Sequence, residues 1–282
     1  MSYKIVVDSC CELPEELHND PRFERVPLEL TVGDYTISDD DSFDQADFIK
    51  RVAECPTCPK SACPSPERYM NAYNCDADHV YCITLSGKLS GSYNSAVLAS
   101  ELYEETYGEK QIHVFDSESA SVGETQLALM LMKLEEKGLS FEEIVKKVTD
   151  FRDHVHTYFV LNNIETLRKN GRLSGLKALV ASTLNIKPIL AGDKGNIVQK
   201  GQGIGIKKAL AKMVDIICTE VKNTENKLLI ISQCNAPERA EMVRDMILAK
   251  QKYLDVLILP MRGVSTMYAN DGGIIVTMYV TA

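Results

Sequence analysis

An α/β fold arranged as two α/β domains is what the sequence predicts. Short β-branched runs alternate with helical patterns along most of the chain, and such alternation implies a mostly parallel sheet with right-handed crossovers. The chain has 282 residues with 45% hydrophobic content, enough for two hydrophobic cores. The N-terminal domain is expected over 1–153, a mostly parallel sheet with flanking helices. The C-terminal domain is expected over 154–282, a mixed sheet with helices. A single large domain is the alternative.

Tyr3 to Val7 is a β-branched run closed by Asp8-Ser9, the pattern of a buried strand feeding a loop. Pro14 to His18 predicts a short helix, and Arg25 to Val32 reads as one strand. From Asp44 to Ala53 the apolar residues Ala46, Phe48, Ile49, Val52 and Ala53 share one helical face. A Cys- and Pro-rich loop is expected from Cys55 to Pro66. The next strands fall at His79–Leu85 and Gln111–Phe115, and the next helices at Ser92–Tyr107 and Thr125–Glu136. A polar helix starts near Ser140. In the second half, strands are expected at Thr157–Leu161, Asn196–Lys200, Lys227–Gln233, Val256–Pro260 and Ile274–Val280, with helices at Ile206–Val221 and Pro237–Lys250.

Composition excludes several classes of function. A net charge of −9 with dispersed basic residues argues against nucleic acid, which requires a clustered basic face. No apolar run reaches the length of a membrane span, and the N-terminus lacks the pattern of a signal peptide, so a cytoplasmic protein that is not integral to the membrane is expected. Nine cysteines without a secretion signal fit reduced thiols. Cys55, Cys58 and Cys63 lack a second matching pair for zinc, so no metal is expected. His154 and His156 are read as ordinary histidines, and Asp39-Asp40-Asp41 as a solvated turn. Gly201-Gln202-Gly203-Ile204-Gly205 fails the dinucleotide fingerprint because Ile206 stands where its third glycine belongs, so a flexible turn is expected there.

The informative segments are Ser61-Ala62-Cys63-Pro64-Ser65 and Ser86-Gly87-Lys88-Leu89-Ser90-Gly91-Ser92. The second lies between a buried strand and a helix, where ligands of open α/β sheets bind. Hydroxyls and unpartnered N–H groups at a helix start can hold an anion. An ordinary Ser cap with glycine for the turn is the competing reading. No Walker spacing is present, and no residue pattern compels a catalytic assignment.

With Asp8-Ser9, Lys60 to Ser65, Leu89 to Ala96, Asp116-Ser117, Asn170 to Ser174 and Lys187-Pro188-Ile189 in order, the chain resembles the DegV family over essentially its whole length. The resemblance implies a bacterial two-domain, non-catalytic protein that binds one long-chain fatty acid as ligand and needs no cofactor. The N-terminal domain would carry the head-group loops, and the C-terminal domain would help enclose the tail. In the fatty acid kinase system such proteins present the carboxylate to a separate kinase subunit for acyl-phosphate formation. By motif, Ser61 stands at the family's Thr and Ser90 at its Leu-Ser-Gly serine, both as carboxylate donors, joined by Gly91 and Ser92 at the helix start. Arg172 matches an arginine near the ligand portal that is implicated in docking the kinase. Where the family has a carboxylate-binding His, this chain has Tyr268, whose phenol can donate the same hydrogen bond. Ala62, Cys63 and Ile204 also depart from the family pattern. Two further readings stand beside this one: a hydrolase or transferase acting on a small acid or ester, which would need a base near Ser90 or a cysteine, and a sensor of another anionic metabolite.

Overall fold

The computed structural model describes residues 2–173 and 185–279. Strand β1 (Tyr3–Asp8) enters the core directly and is followed by a single 3-10 turn at Glu15–Leu17, where a helix is expected from sequence. The run from Arg25 to Val32 is not one strand. It divides into β2 (Phe23–Val26), which pairs with β1, and β3 (Glu29–Val32), which pairs with β4 (Tyr35–Ser38) in a different sheet. Pro27, with no N–H to give a ladder, sits at the break.

Helix α1 (Gln45–Glu54) begins at Asp44, whose carboxylate accepts the Asp47 N–H at 3.0 Å. The expected loop from Cys55 to Pro66 holds a short strand, β5 (Lys60–Ala62), antiparallel to β3 and opposing Ser61 to Leu30. Helix α2 (Pro66–Tyr73) follows, with Pro at its first position. Then come β6 (His79–Thr84), α3 (Ser92–Tyr107), β7 (Gln111–Asp116), α4 (Val122–Glu136) and α5 (Phe141–Arg152), the last opened by a Ser140–Glu143 capping box. The first sheet has the order β2-β1-β6-β7 and is parallel throughout. The small sheet has the order β4-β3-β5.

The second half contributes β8 (Val155–Val160), α6 (Glu165–Lys169), β9 (Ile186–Asp193), β10 (Asn196–Ile204), α7 (Ile206–Glu220), β11 (Leu228–Gln233), α8 (Pro237–Leu248), β12 (Asp255–Pro260), α9 (Gly263–Ala269) and β13 (Ile274–Tyr279). Among the described residues these strands form one mixed sheet, β10-β9-β8-β13-β11-β12, with only β11 and β12 parallel. The turn expected at Gly201–Gly205 is instead the end of β10, which pairs with β9 through to Ile204 after a bulge between Gln199 and Gly201. Gly203 is needed there because a Cβ would stand 2.5 Å from the Ala209 backbone, where α7 crosses the strand. Expected strand residue Val280 and motif residue Ser174 lie outside the described residues.

Helix α4 explains how the two large sheets share a core. Every residue from Val122 to Ala128 is buried, including Glu124, Thr125 and Gln126. Leu127, Ala128 and Leu131 pack with Ile5, Val7 and Ile83 of the first sheet, while Val122 packs with Ile230 and Leu259 of the second. Gln126 Nε2 donates to the Leu228 carbonyl at 3.1 Å. The first turns of this helix are covered on all sides because they lie between the two sheets.

Candidate functional site

The carboxyl ends of β1, β6 and β7 open onto a cavity of about 860 Å³, part of it open to solvent. Its floor and walls are mostly apolar: Leu28, Leu85 and Val264 on one side, Phe159, Leu161, Ile197 and Ile275 on the other. Polar residues interrupt this lining: Glu118, Ser119, Ser121, Thr157, Asn196 and Ser265 along the wall, and Ser61, Ser90, Arg172 and Tyr268, the last four being the sequence-derived candidates.

Each of these four is positioned by a different element. Strand pairing with β3 carries Ser61 over the end of the first sheet. Tyr268 stands on α9, and its Oη lies 3.1 Å from Ser61 Oγ. Helix α9 is in turn anchored by Asp39, which the sequence reading assigned to a solvated turn. Asp39 is fully buried, and its two oxygens accept the N–H groups of Gly263 at 2.9 Å and Val264 at 2.8 Å. Those are the first donors of the helix, which lack partners within it, so the carboxylate works as a cap brought from another part of the chain. Gly263 is required by this approach, since a Cβ would meet Asp39 Oδ1 at 2.6 Å. Gln45 at the start of α1 adds a second tie, its Nε2 donating to the Met261 carbonyl at 2.8 Å and to Thr266 Oγ1 at 2.9 Å.

The Ser86–Ser92 turn brings in Ser90. Its backbone N–H donates to the Ser86 carbonyl at 3.0 Å, and its Oγ accepts the Ser92 N–H at 3.2 Å. The Ser90 hydroxyl proton is therefore left to donate elsewhere. The loop holding Ser61 packs on this turn: Cys63 Sγ would stand 3.1 Å from a Cβ at Gly91, and Ser95 Oγ donates to the Pro64 carbonyl at 2.5 Å.

Not all of the sequence-derived residues converge. Gly91 caps α3 and Ser92 opens it, and neither lines the cavity. The Ser92 N–H is taken by Ser90. Its hydroxyl is buried and donates to Asp8 Oδ2 at 2.8 Å, with Tyr69 Oη 2.5 Å away on the other side. Arg172, expected from the resemblance near the ligand portal, lines the cavity. Its Nε donates to the Leu89 carbonyl at 3.0 Å and its Nη1 to the Asn170 carbonyl at 2.6 Å, while Cζ lies 5.7 Å from the centre of the Tyr268 ring. The guanidinium is thus tied to the Ser86–Ser92 turn and to its own loop, and faces the same aromatic that reaches Ser61.

The cavity lining also bears on chemistry. Among the described residues it includes no histidine. Its only cysteine, Cys10, is buried, and burial pushes its thiol well above the ordinary range, so the nucleophilic thiolate is suppressed. All nine cysteines are free. No helix among the described residues is long and apolar enough to cross a membrane. Behind the cavity lie buried acids that carried no expected role: Asp8, whose carboxyl is raised to about 6, and Glu12, raised to about 7, with burial the largest cause for each. Asp8-Ser9 was visible as a motif, but nothing in its spacing indicated that Asp8 gathers backbone and side-chain donors.

Comparison with known proteins places this architecture. The family model described as "Uncharacterised protein, DegV family" matches residues 2–279. A DegV domain-containing protein of Streptococcus pyogenes serotype M1 is 37% identical over 281 residues, covering 98% of each chain. A DegV family protein from Ruminococcus gnavus, solved with vaccenic acid, superposes with a TM-score of 0.96 at 51% identity, covering 98% of this chain and 99% of that one. The Streptococcus pneumoniae fatty acid kinase (Fak) B3 protein, solved loaded with linoleic acid, superposes with a TM-score of 0.89 at 31% identity over 100% of both chains. By sequence along nearly its whole length and by the arrangement of its sheets, this chain belongs to the DegV family.

Proposed function

We propose that this protein binds one long-chain fatty acid, burying the tail in the apolar cavity and holding the carboxylate at the end where Ser61, Ser90, Tyr268 and Arg172 meet. The observation that carries this reading is a cavity whose wall is mostly apolar surface and at which the paired hydroxyls of Ser61 and Tyr268 meet the Arg172 guanidinium. Related proteins were solved with vaccenic and linoleic acid, which supports the same class of ligand.

The energetics suit such a ligand. A tail of about fifteen methylenes at roughly 0.8 kcal/mol each offers on the order of 12 kcal/mol of gross transfer free energy before ordering costs. The head group must regain the hydrogen bonds it loses on leaving water. Ser90 offers a free hydroxyl proton, and of the two protons on Ser61 and Tyr268 one serves their mutual bond and one remains. Arg172 adds the positive charge that an ionised carboxylate favours. Gly91 and Ser92 contribute as the frame of the turn.

The role we assign is carriage without catalysis, with the exposed end of the acid offered to a separate kinase that forms the acyl phosphate; the kinase name of the Streptococcus pneumoniae relative supports this partner. Residues 1–153 would carry the head-group loops and residues 154–282 would help enclose the tail, in a cytoplasmic protein. The absence of histidine from the described lining and the suppressed Cys10 thiolate disfavour the hydrolase reading. Extraction of purified protein under denaturing conditions followed by mass spectrometry is expected to release long-chain fatty acid near one per chain. Empty protein that also fails to take up added palmitate or oleate refutes the proposal, and saturation by a short anionic metabolite instead would favour the sensor reading.

A further inference from the structure

The first residue after the cavity wall that has no assigned role is Asp8, and its surroundings are unusual. Its carboxylate accepts the Cys10 N–H on Oδ1 at 3.0 Å, and on Oδ2 the Leu85 N–H at 2.9 Å and the Ser92 hydroxyl at 2.8 Å. A carboxylate has about four lone-pair sites, so one remains, on Oδ1. Directly beside it is Glu124 of α4: oxygens of Asp8 and Glu124 and Cys10 Sγ lie within 4.8 Å of one another, all fully or nearly fully buried. Neither oxygen of Glu124 has a donor among the described residues. Nor does any lysine or arginine among them form an ion pair with either acid.

Two ionised carboxylates buried with oxygens within 4.8 Å of each other would repel in a low-dielectric setting, which is prohibitively costly. A proton resolves the conflict, because a protonated Glu124 becomes a donor and Asp8 has one acceptor site left. A metal ion fits less well, since three donors already occupy Asp8. We propose that Glu124 is a neutral carboxylic acid donating to Asp8, and that this pair is the positioning device that holds the Ser86–Ser92 turn in place for the head group. Asp8 fixes the turn at both ends, through Leu85 before it and Ser92 at its close; Ser92 in turn fixes Ser90 through its N–H. The position of Glu124 within an otherwise closed helix makes it the wall against which Asp8 is pressed. Burial and the charge of Asp8 both raise the Glu124 carboxyl well above its ordinary range, in keeping with this state.

The functional half of this inference rests on Ser90 being a head-group ligand; the protonation half does not. Infrared spectroscopy of the ligand-free protein at about pH 8.5, where Asp8 and Glu12, raised to about 6 and about 7, are ionised, is expected to show the C=O stretch of a protonated carboxyl group that shifts in deuterated water and disappears in Glu124→Gln. Glu124→Leu, which removes the donor, should weaken oleate binding by about tenfold or more, and Glu124→Gln, which keeps a neutral donor of the same shape, should recover most of that loss. Asp8→Asn and Ser92→Ala should each weaken binding by about tenfold or more, the ratio produced by losing one hydrogen bond to a charged acceptor. Should Asp8→Asn not fold, Ser92→Ala carries the comparison, because it removes one donor to Asp8 and leaves no buried charge unpaired. Absence of the band in the wild-type protein, stoichiometric metal in the purified protein, or a loss of affinity in Glu124→Gln as large as in Ser92→Ala overturns the inference. Failure of the wild-type protein to bind oleate while the band is present would instead overturn the fatty-acid reading alone.

Discussion

Substituting Tyr268 by Phe is the sharpest perturbation of the proposed head-group site. It removes one oxygen and keeps the ring that Arg172 faces at 5.7 Å. Tyr268 Oη and Ser61 Oγ lie 3.1 Å apart, so these two hydroxyls use one proton on each other and offer one to the ligand. Which of them makes the outward bond does not alter the expectation: without Oη, either the outward donor is lost or Ser61 loses the partner that orients it. A hydrogen bond to a charged acceptor contributes about 1.5–3 kcal/mol. Fatty-acid affinity should therefore fall by about 10-fold to 150-fold at 1.4 kcal/mol per decade. Ser61→Ala should do the same, and because the two hydroxyls act as a unit, the double variant should lose less than the sum of the singles. Displacement of a fluorescent fatty acid by oleate measures all three, with thermal unfolding of the ligand-free proteins as control. Since Tyr268 is only half-buried, those unfolding free energies should agree within about 1 kcal/mol. Affinity unchanged within twofold in Tyr268→Phe, or strict additivity in the double variant, would refute the reasoning.

Other expectations follow from the same geometry. Ser90→Ala removes both a donor to the ligand and the acceptor of the Ser92 N–H, so fatty-acid binding measured by calorimetry should weaken by about 1–2 kcal/mol. Asp39→Ala strips two buried N–H groups of α9 of their acceptor and should cost about 2–4 kcal/mol in urea unfolding, whereas Asp39→Asn, which retains one carbonyl oxygen, should cost less. Stability should also depend on pH in a defined direction. Asp8 is raised to about 6, Glu12 to about 7 and Glu124 well above its ordinary range, while the unfolded values lie near 4. The folded protein thus holds more protons than the unfolded chain from about pH 4 upward, and stability declines as pH rises, through about 6 and about 7 for Asp8 and Glu12 and beyond neutral pH for Glu124. Glu12→Gln should flatten that decline by on the order of 3 kcal/mol, and an unchanged slope in unfolding titrations would refute the assignment.

The alternation of elements was legible because buried strands such as Tyr3–Asp8 and His79–Thr84 are continuous apolar or β-branched runs. Helix α3 begins and ends where its sequence pattern does. Elements that were missed lack such signals. Strand β9 contains Pro188 and Gly192, both of which count against a strand, and β10 ends in a glycine-rich segment that reads as a turn until the close crossing of α7 is known. Helix α9 is a short, nearly fully buried run without periodicity, and its cap comes from Asp39, more than two hundred residues away in sequence. Locally that aspartate belongs to a polar triplet, and only tertiary structure distinguishes it from its neighbours: Asp41 is exposed and pairs with Arg25 at 3.0 Å. In the site, Ser61, Ser90 and Tyr268 were accessible through motif resemblance. The hydrogen-bond partners of Arg172 and the surroundings of Asp8 were not, because both depend on which carbonyls and amides the fold brings within reach.

A crystal structure of the protein grown with a single long-chain fatty acid would test the central claim most directly. The account predicts continuous density filling the cavity from the Phe159–Ile275 wall outward, ending in a carboxylate within hydrogen-bonding distance of Ser61 Oγ and Ser90 Oγ and beside the Arg172 guanidinium. Density with the carboxylate at the opposite end, or a fatty acid bound elsewhere while the cavity holds only water, would contradict it.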